Sequence, residues 1–257
     1  MIGQETVASV SLAPETRAMD SPTLTARSRA LWEGLAGAPV EFGPVLRVAV
    51  SPNSLLCPPG WVGIIVIGDA VIATAPAPDT ADAVQQALGT LPAPSLTDPT
   101  VLSTRLQPLE MIGPACLAYL DPAEFRPGHR AIAVEQLLPH DGGLRQFVAA
   151  SSAEDVEESG IWRITSPAFA TREHGTIISA AGYRDWPSDV AHLSVLTIAT
   201  ARGRGLARTV ASAALTHAIE RGKLPQWRAR PPESRRVARA LGFRELGFQL
   251  SIRVASP

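Results

Sequence analysis

Only two of the 257 residues are cysteine, Cys57 and Cys116, and both lie in apolar company. That excludes a disulfide framework and a four-ligand zinc centre. The five histidines make no Cys/His cluster at metal-ligand spacing, so no metal is expected. Charge is scarce too, at 18% of residues, with a net charge of −1. This balance excludes a chain held to nucleic acid or to an anionic membrane by bulk charge. The longest apolar run, Trp61 to Ala75, is broken by Gly68 and Asp69 and is too short to span a bilayer. No apolar signal core follows the first charges, so a cytoplasmic location is the expectation. A Walker loop, Gly-x-x-x-x-Gly-Lys-Ser/Thr, is missing. A Gly-x-Gly-x-x-Gly fingerprint fails at its third glycine, where Arg208 stands.

What remains is apolar: 46% of residues are hydrophobic, enough for one large core or two small ones. Residues 1–22 carry no period and read as a loose tail. A helix is expected over Thr23 to Leu35 and strands over Val45 to Val50, Val62 to Ile67 and Val71 to Ala73. Thr80 is placed to cap a helix over Ala81 to Leu88 that Gly89 stops. Leu91 to Pro99 reads as loop, and Leu102 to Leu109 and Pro114 to Leu120 as structure of undecided type. Pro122, Pro127 and Gly128 mark a linker near Asp121 to His129. The expected layout is therefore an N-terminal α/β domain over 23–125 and a second domain over 130–257.

The second half begins with a strand over Ala131 to Val134 and a helix over Gly143 to Ala150, with another from Glu154 to Ser159. A hairpin follows, Ala168 to Arg172 and Thr176 to Trp186, with Glu173, His174 and Gly175 as its turn. A strand over Val190 to Ile198 then runs into Arg202-Gly203-Arg204-Gly205-Leu206-Ala207. Beyond it, Leu206, Val210, Ala214 and Ala218 form one helical row and Ala207, Ala211, Leu215 and Ile219 the next. A helix start presents unpaired N–H groups and the positive end of the dipole. Glycines allow close approach of a phosphate, and Arg202, Arg204 and Arg208 add charge, so the unit reads as a pyrophosphate cradle.

Arg202, Gly205 and Ala207 fill the fixed positions of Arg/Gln-x-x-Gly-x-Gly/Ala. After them come a strand over Leu224 to Ala229, a helix over Glu233 to Leu241, Leu241-Gly242-Phe243, and a strand over Phe243 to Val254. In this order the segment from Arg130 to Val254 resembles the GNAT acyltransferase superfamily. The layout of the whole chain is similar to glycine N-acyltransferase-like proteins, with the first half open to being a degenerate GNAT-like half.

The resemblance implies a mixed α/β fold with acetyl-CoA as co-substrate. The acceptor is then a small-molecule amine or a peptide, and a homodimer is allowed. It implies backbone contacts to the pantetheine arm from Val195, Leu196 and Thr197. The cradle is Arg202, Gly203, Arg204, Gly205, Leu206, Ala207 and Arg208. Ser234 matches a serine that bonds the coenzyme in a subset of the family, and equally reads as a helix-cap hydroxyl. The usual acid, a tyrosine four residues before the glycine of Leu-Gly-Phe, is replaced by Ala238.

Removing a proton from an amine needs a base. His192 is the first candidate, because an imidazole titrates near neutrality and the strand leads to the pantetheine site. Strand parity decides whether it faces that site. Glu157 and Glu158 are the next candidates, with solvated helix-end carboxylates as their plain alternative. Trp162 and Tyr183 are candidate pocket walls or core aromatics. Three readings stay open at this point: an N-acetyltransferase, a non-catalytic acyl-CoA-binding or regulatory module, and a structural or interaction protein whose loop binds nothing. Residues 130–257, holding every cradle element, are expected to bind coenzyme A alone.

Overall fold

The computed structural model describes residues 23–128 and 132–255. Local signals set most elements. Thr23 caps α1 (Leu24–Leu35), its hydroxyl accepting the Ala26 N–H at 3.2 Å. Strands β1 (Val48–Val50), β2 (Val62–Ile67) and β3 (Ala70–Ala75) follow, and every residue of β2 and β3 is buried. Helix α2 (Pro78–Leu88) starts on Pro78 with Ala77 at its cap, so Thr80 is a buried helix residue rather than the cap. Proline at the first helical position needs no N–H partner there. Helix α3 (Pro99–Leu106) and strand β4 (Glu110–Tyr119) settle the two undecided segments. A short 3-10 turn occupies Ala93–Thr97 in the expected loop.

Then come β5 (Glu135–Leu137), α4 (Gly142–Ala150) and α5 (Ala153–Ser159). The hairpin is β6 (Ala168–Glu173) with β7 (Thr176–Trp186), turning through His174 at φ 49. Next are β8 (Val190–Thr197), α6 (Leu206–Glu220), β9 (Leu224–Ala229), α7 (Pro232–Ala240) and β10 (Arg244–Arg253). The strand expected at Ala131 to Val134 begins outside the described residues, and residues 132–134 are not strand; pairing starts at Glu135. The tail expected over 1–22 lies wholly outside them.

All ten strands join one mixed sheet in the order β1-β3-β2-β10-β4-β9-β8-β7-β6-β5. The sheet ignores the expected boundary near 125–130. β10, last in the chain, lies between β2 and β4, and β4 also borders β9. The halves therefore share backbone ladders, and the expected linker is a connection inside one sheet. The reason is burial: β4 turns Leu117 and Tyr119 to one face and Ala118 to the other, all in apolar clusters. Such a strand needs a neighbour on both edges and a layer on both faces.

Helices α6 and α7 cover one face, α6 laying its small residues Ala211 and Ala214 in one cluster with Leu193, Trp227 and Phe243. Helix α2 covers the same face farther along, over Ile64, Val66 and Leu250. The opposite face carries two separate apolar clusters. Helix α1 covers one, with Leu117, Tyr119, Val190 and Leu224. Helix α4 covers the other, with Ile161, Ala180 and Leu196. Among the described residues no helix is long and apolar enough to cross a membrane.

Candidate active site

The gap between those two clusters is where β8 and β9 part. They pair in parallel only over Val190–His192 and Leu224–Gln226. Beyond that β8 runs five more residues and β9 three, with no ladder between them. On its other edge β8 stays paired to β7 throughout. Ile198 N–H donates to Ile178 O, and antiparallel pairs alternate, so Leu196 spends its main-chain groups on β7. Val195 and Thr197 turn theirs toward the open side. Of the expected backbone contacts, Val195 and Thr197 face the gap and Leu196 does not. Its side chain is buried in the cluster under α4.

The cradle closes one end of this gap. Gly203 and Gly205 adopt φ of 74° and 78°, a left-handed turn that side chains resist. Gly205 is the N-cap of α6 and offers no side-chain acceptor. The N–H groups of Leu206, Ala207 and Arg208 thus point out of the helix start without a partner among the described residues. The arginines are already engaged. Arg202 donates Nε to Thr197 O at 3.2 Å and Nη2 to Asp155 Oδ1 at 2.5 Å. Arg204 forks onto Glu173 at 2.8 and 3.1 Å, and Arg208 donates to Arg126 O at 3.3 Å. These features fit the pantetheine arm and diphosphate of a coenzyme: open main-chain groups on Val195 and the Thr197 N–H for the amides of the arm, and unpartnered helix N–H groups for the phosphates.

His192 sits on the face of the gap away from α6, beside Ser194 and Gln226. Its Nδ1 lies 2.5 Å from Gln226 Oε1, and its ring stacks on Trp186 at 4.4 Å between centroids. Gln226 Nε2 in turn donates to the Tyr119 hydroxyl at 3.3 Å, and Trp32 Nε1 donates to that same oxygen at 2.6 Å. An amide oxygen only accepts, so His192 Nδ1 carries the proton and Nε2 keeps its lone pair. Burial, then the nearby Arg228 charge, push the His192 pKa down to about 3, while the Gln226 bond opposes them. The imidazole is neutral at any ordinary pH. Burial also pushes the Tyr119 phenol up, so it stays a protonated positioning group.

Neither glutamate is free. Glu158 takes Arg230 Nε at 2.8 Å, a closer contact from Arg230 Nη2, and the Arg230 main-chain N–H at 3.4 Å. Glu157 pairs with Arg163 at 3.4 Å at the surface. Ser234 accepts the Trp227 indole N–H at 2.9 Å and does not cap α7, whose N-cap is Pro231. Ala238, at the position of the usual acid, is buried in the apolar cluster that α6 and α7 share and carries no titratable group. Tyr183 is core, bonded to His217 Nδ1 at 2.9 Å on the α6 face, whereas Trp162 is exposed beside Arg163. Burial pushes the Cys57 thiol up to about 12 and Cys116 to about 11, so both are inert. No cluster of metal-ligating side chains occurs among the described residues.

Sequence reasoning missed Tyr119, Gln226 and Arg228. A polar Gln226 and Arg228 at period two, within a strand otherwise apolar, were the available signal.

Residues 168–247, from β6 into β10, match the model of the GNAT acetyltransferase family. The matched stretch contains Gly203, Gly205, His192, Gln226 and the Leu-Gly-Phe motif. Among solved structures the chain is similar to a protein assigned to the GNAT family from Novosphingobium aromaticivorans. They share 21% identity over 58% of this chain and 67% of that one, with a TM-score of 0.46. It is similar to a GCN5-related N-acetyltransferase from Kribbella flavida, at 16% identity over 62% and 63%, TM-score 0.47. A Salmonella typhimurium protein solved with acetyl-CoA shares 17% identity over 50% of this chain and 98% of that one, TM-score 0.36. The chain thus spans 67% and 63% of the first two. No curated protein matches it.

Proposed function

We propose that this protein transfers an acetyl group from acetyl-CoA to the primary amine of a small molecule or peptide. The observation that carries this is the parting of β8 and β9 onto the uncapped start of α6, inside the matched stretch, with the neutral His192 on its wall. Main-chain N–H groups of β8 that face the gap offer donors to a thioester carbonyl. The amine nitrogen attacks that carbonyl carbon, the C–S bond breaks, and the thiolate leaves with its electron pair. The lone pair on His192 Nε2 accepts the proton the amine loses. Gln226, held by Tyr119, fixes the tautomer that makes this possible.

A second reading, a non-catalytic acyl-CoA-binding module, draws on Ala238 in the acid position and on the low basicity of His192. Two measurements separate them. Coenzyme A should raise the melting temperature under both readings, by about 2.7 kcal/mol of stability at a hundredfold excess over Kd. Release of free thiol from acetyl-CoA on adding an amine panel should occur only under the first. A thermal shift without any turnover leaves the binding module.

A further inference from the structure

A closed ring of contacts runs through His192, and helix α1 supplies its far side. His192 Nδ1 meets Gln226 Oε1 at 2.5 Å, Gln226 Nε2 meets the Tyr119 hydroxyl at 3.3 Å, and Trp32 Nε1 meets that hydroxyl at 2.6 Å. The Trp32 indole stands edge-on to Trp186, with 5.8 Å between centroids, and Trp186 stacks on the His192 ring. Leu24, Ser28 and Trp32 follow at a spacing of four and form one buried row of α1. The Ser28 side chain also bonds the Tyr119 phenol, and its own proton goes to Leu24 O at 2.7 Å. Ser28, Trp32 and Tyr119 all precede residues 168–247, the stretch that matches the family model.

Each link in the polar part of this ring has one direction. An indole N–H only donates, so the Tyr119 oxygen accepts from Trp32. Ser28 has spent its proton on Leu24 O, so it accepts the proton of Tyr119. Tyr119 then has nothing left to donate, and toward Gln226 its oxygen accepts an amide N–H. That turns Gln226 Oε1 toward His192 and requires the proton on Nδ1. With the amide reversed, its N–H would claim Nδ1, and the His192 proton would sit on Nε2 and close the lone pair there. We infer that Ser28 and Trp32 of α1 are positioning residues that set the His192 tautomer, so that the first half of the chain completes the transfer site. This rests on the acyl-transfer reading above.

The test is nitrogen–proton correlation NMR of the full-length protein labelled in its histidine rings, beside turnover of acetyl-CoA with an amine. The His192 signals are those lost in His192→Gln. Wild type should show Nδ1 protonated and Nε2 bare. Ser28→Ala takes the acceptor from the Tyr119 proton, which can then swing to Gln226 Oε1, so the His192 proton should move in large part to Nε2. Trp32→Phe keeps a ring against Trp186 but removes the indole donor, and its spectrum should show both tautomers. In both variants kcat should fall roughly 10-fold or more while KM for acetyl-CoA holds, since a positioned base contributes about 10²–10⁴-fold. A wild-type proton on Nε2 overturns the inference. So does a Ser28→Ala spectrum that matches wild type, or a moved tautomer with unchanged kcat. Ser28→Ala deletes a single oxygen and decides the matter if Trp32→Phe does not fold. If wild type binds coenzyme A but acetylates no amine, the transfer reading fails, and the tautomer shift alone then decides whether α1 sets the His192 proton.

Discussion

Arg202 ties the lip of the cradle to Asp155 on α5, its Nη2 lying 2.5 Å from Asp155 Oδ1. One turn along the same helix, Glu158 holds Arg230 at the end of β9. Helix α5 thus straddles the gap, anchored on each strand's outgoing end. The Ser152 hydroxyl and then Arg202 hold the Asp155 carboxyl below the usual carboxylate range.

Asp155→Asn should tighten coenzyme A binding. In the wild type the diphosphate competes with Asp155 for Arg202. The pair is largely exposed, so its worth is limited to about 0.2–1 kcal/mol, or up to roughly fivefold in Kd. Calorimetric titration of both proteins checks it, and weaker binding by the variant would remove Arg202 from the cradle.

Gly205→Asp should fold and lose coenzyme A. A side chain at φ 78° costs about 1–2 kcal/mol, a drop of several degrees in melting temperature. Its carboxylate would face the helix start, where an anion must sit. A folded variant with unchanged affinity sinks the cradle assignment.

How much of this was legible beforehand varies with the range of the interactions involved. Val62–Ile67 was readable as a short β-branched run bounded by turn residues, a local signal, and Leu224–Ala229 from its place after the cradle helix. So was Gly242 as the end of α7. It takes φ 100°, and a Cβ there would meet Glu124 O at 2.1 Å. The place of β4 was not readable, since a strand buried on both faces shows no alternation and its partners lie far off in the chain. His192 could be placed on a strand but not on a face. Its tautomer depends on Gln226 and Tyr119, distant in sequence, and its charge on Arg228. Arg202 and Arg204 read only as charge beside the cradle, because their carboxylate partners, Asp155 and Glu173, come from other elements.

His192→Gln should flatten the acid limb of the stability profile. The folded pKa of about 3 lies below the ordinary value of 6.5. Between those values the unfolded chain binds a proton that the native chain does not. Stability is therefore full above pH 6.5 and falls as pH drops toward 3, by about 1.4 kcal/mol per unit at most. Urea titrations at pH 7 and pH 5 should differ less in the variant. An equal difference would mean that His192 is not held neutral.

Tyr119→Phe should cost about 1–3 kcal/mol, because Trp32 Nε1 and Gln226 Nε2 both lose their acceptor in a buried place. Turnover should fall further than coenzyme affinity, since a loosened Gln226 no longer fixes the His192 tautomer. Unchanged kcat with lowered stability would confine Tyr119 to a structural role.

Residues 130–257 alone should not fold, contrary to what the cradle motif by itself suggests. β10 would lose both neighbours, β2 and β4, and β9 would lose β4. Leu120 N–H to Pro225 O, Leu109 N–H to Arg253 O and Tyr119 under Gln226 would go with them. Each stranded edge exposes a row of unpaired N–H and C=O groups over an apolar face. Residues 108–257 restore β4 between β9 and β10 and leave only β10 as a new edge. That longer piece should melt cooperatively and bind coenzyme A, while the shorter one gives no sigmoidal transition. A cooperative melt of residues 130–257 with native coenzyme affinity would show that the shared ladders are dispensable. The expected division of the chain into two folding units would then stand.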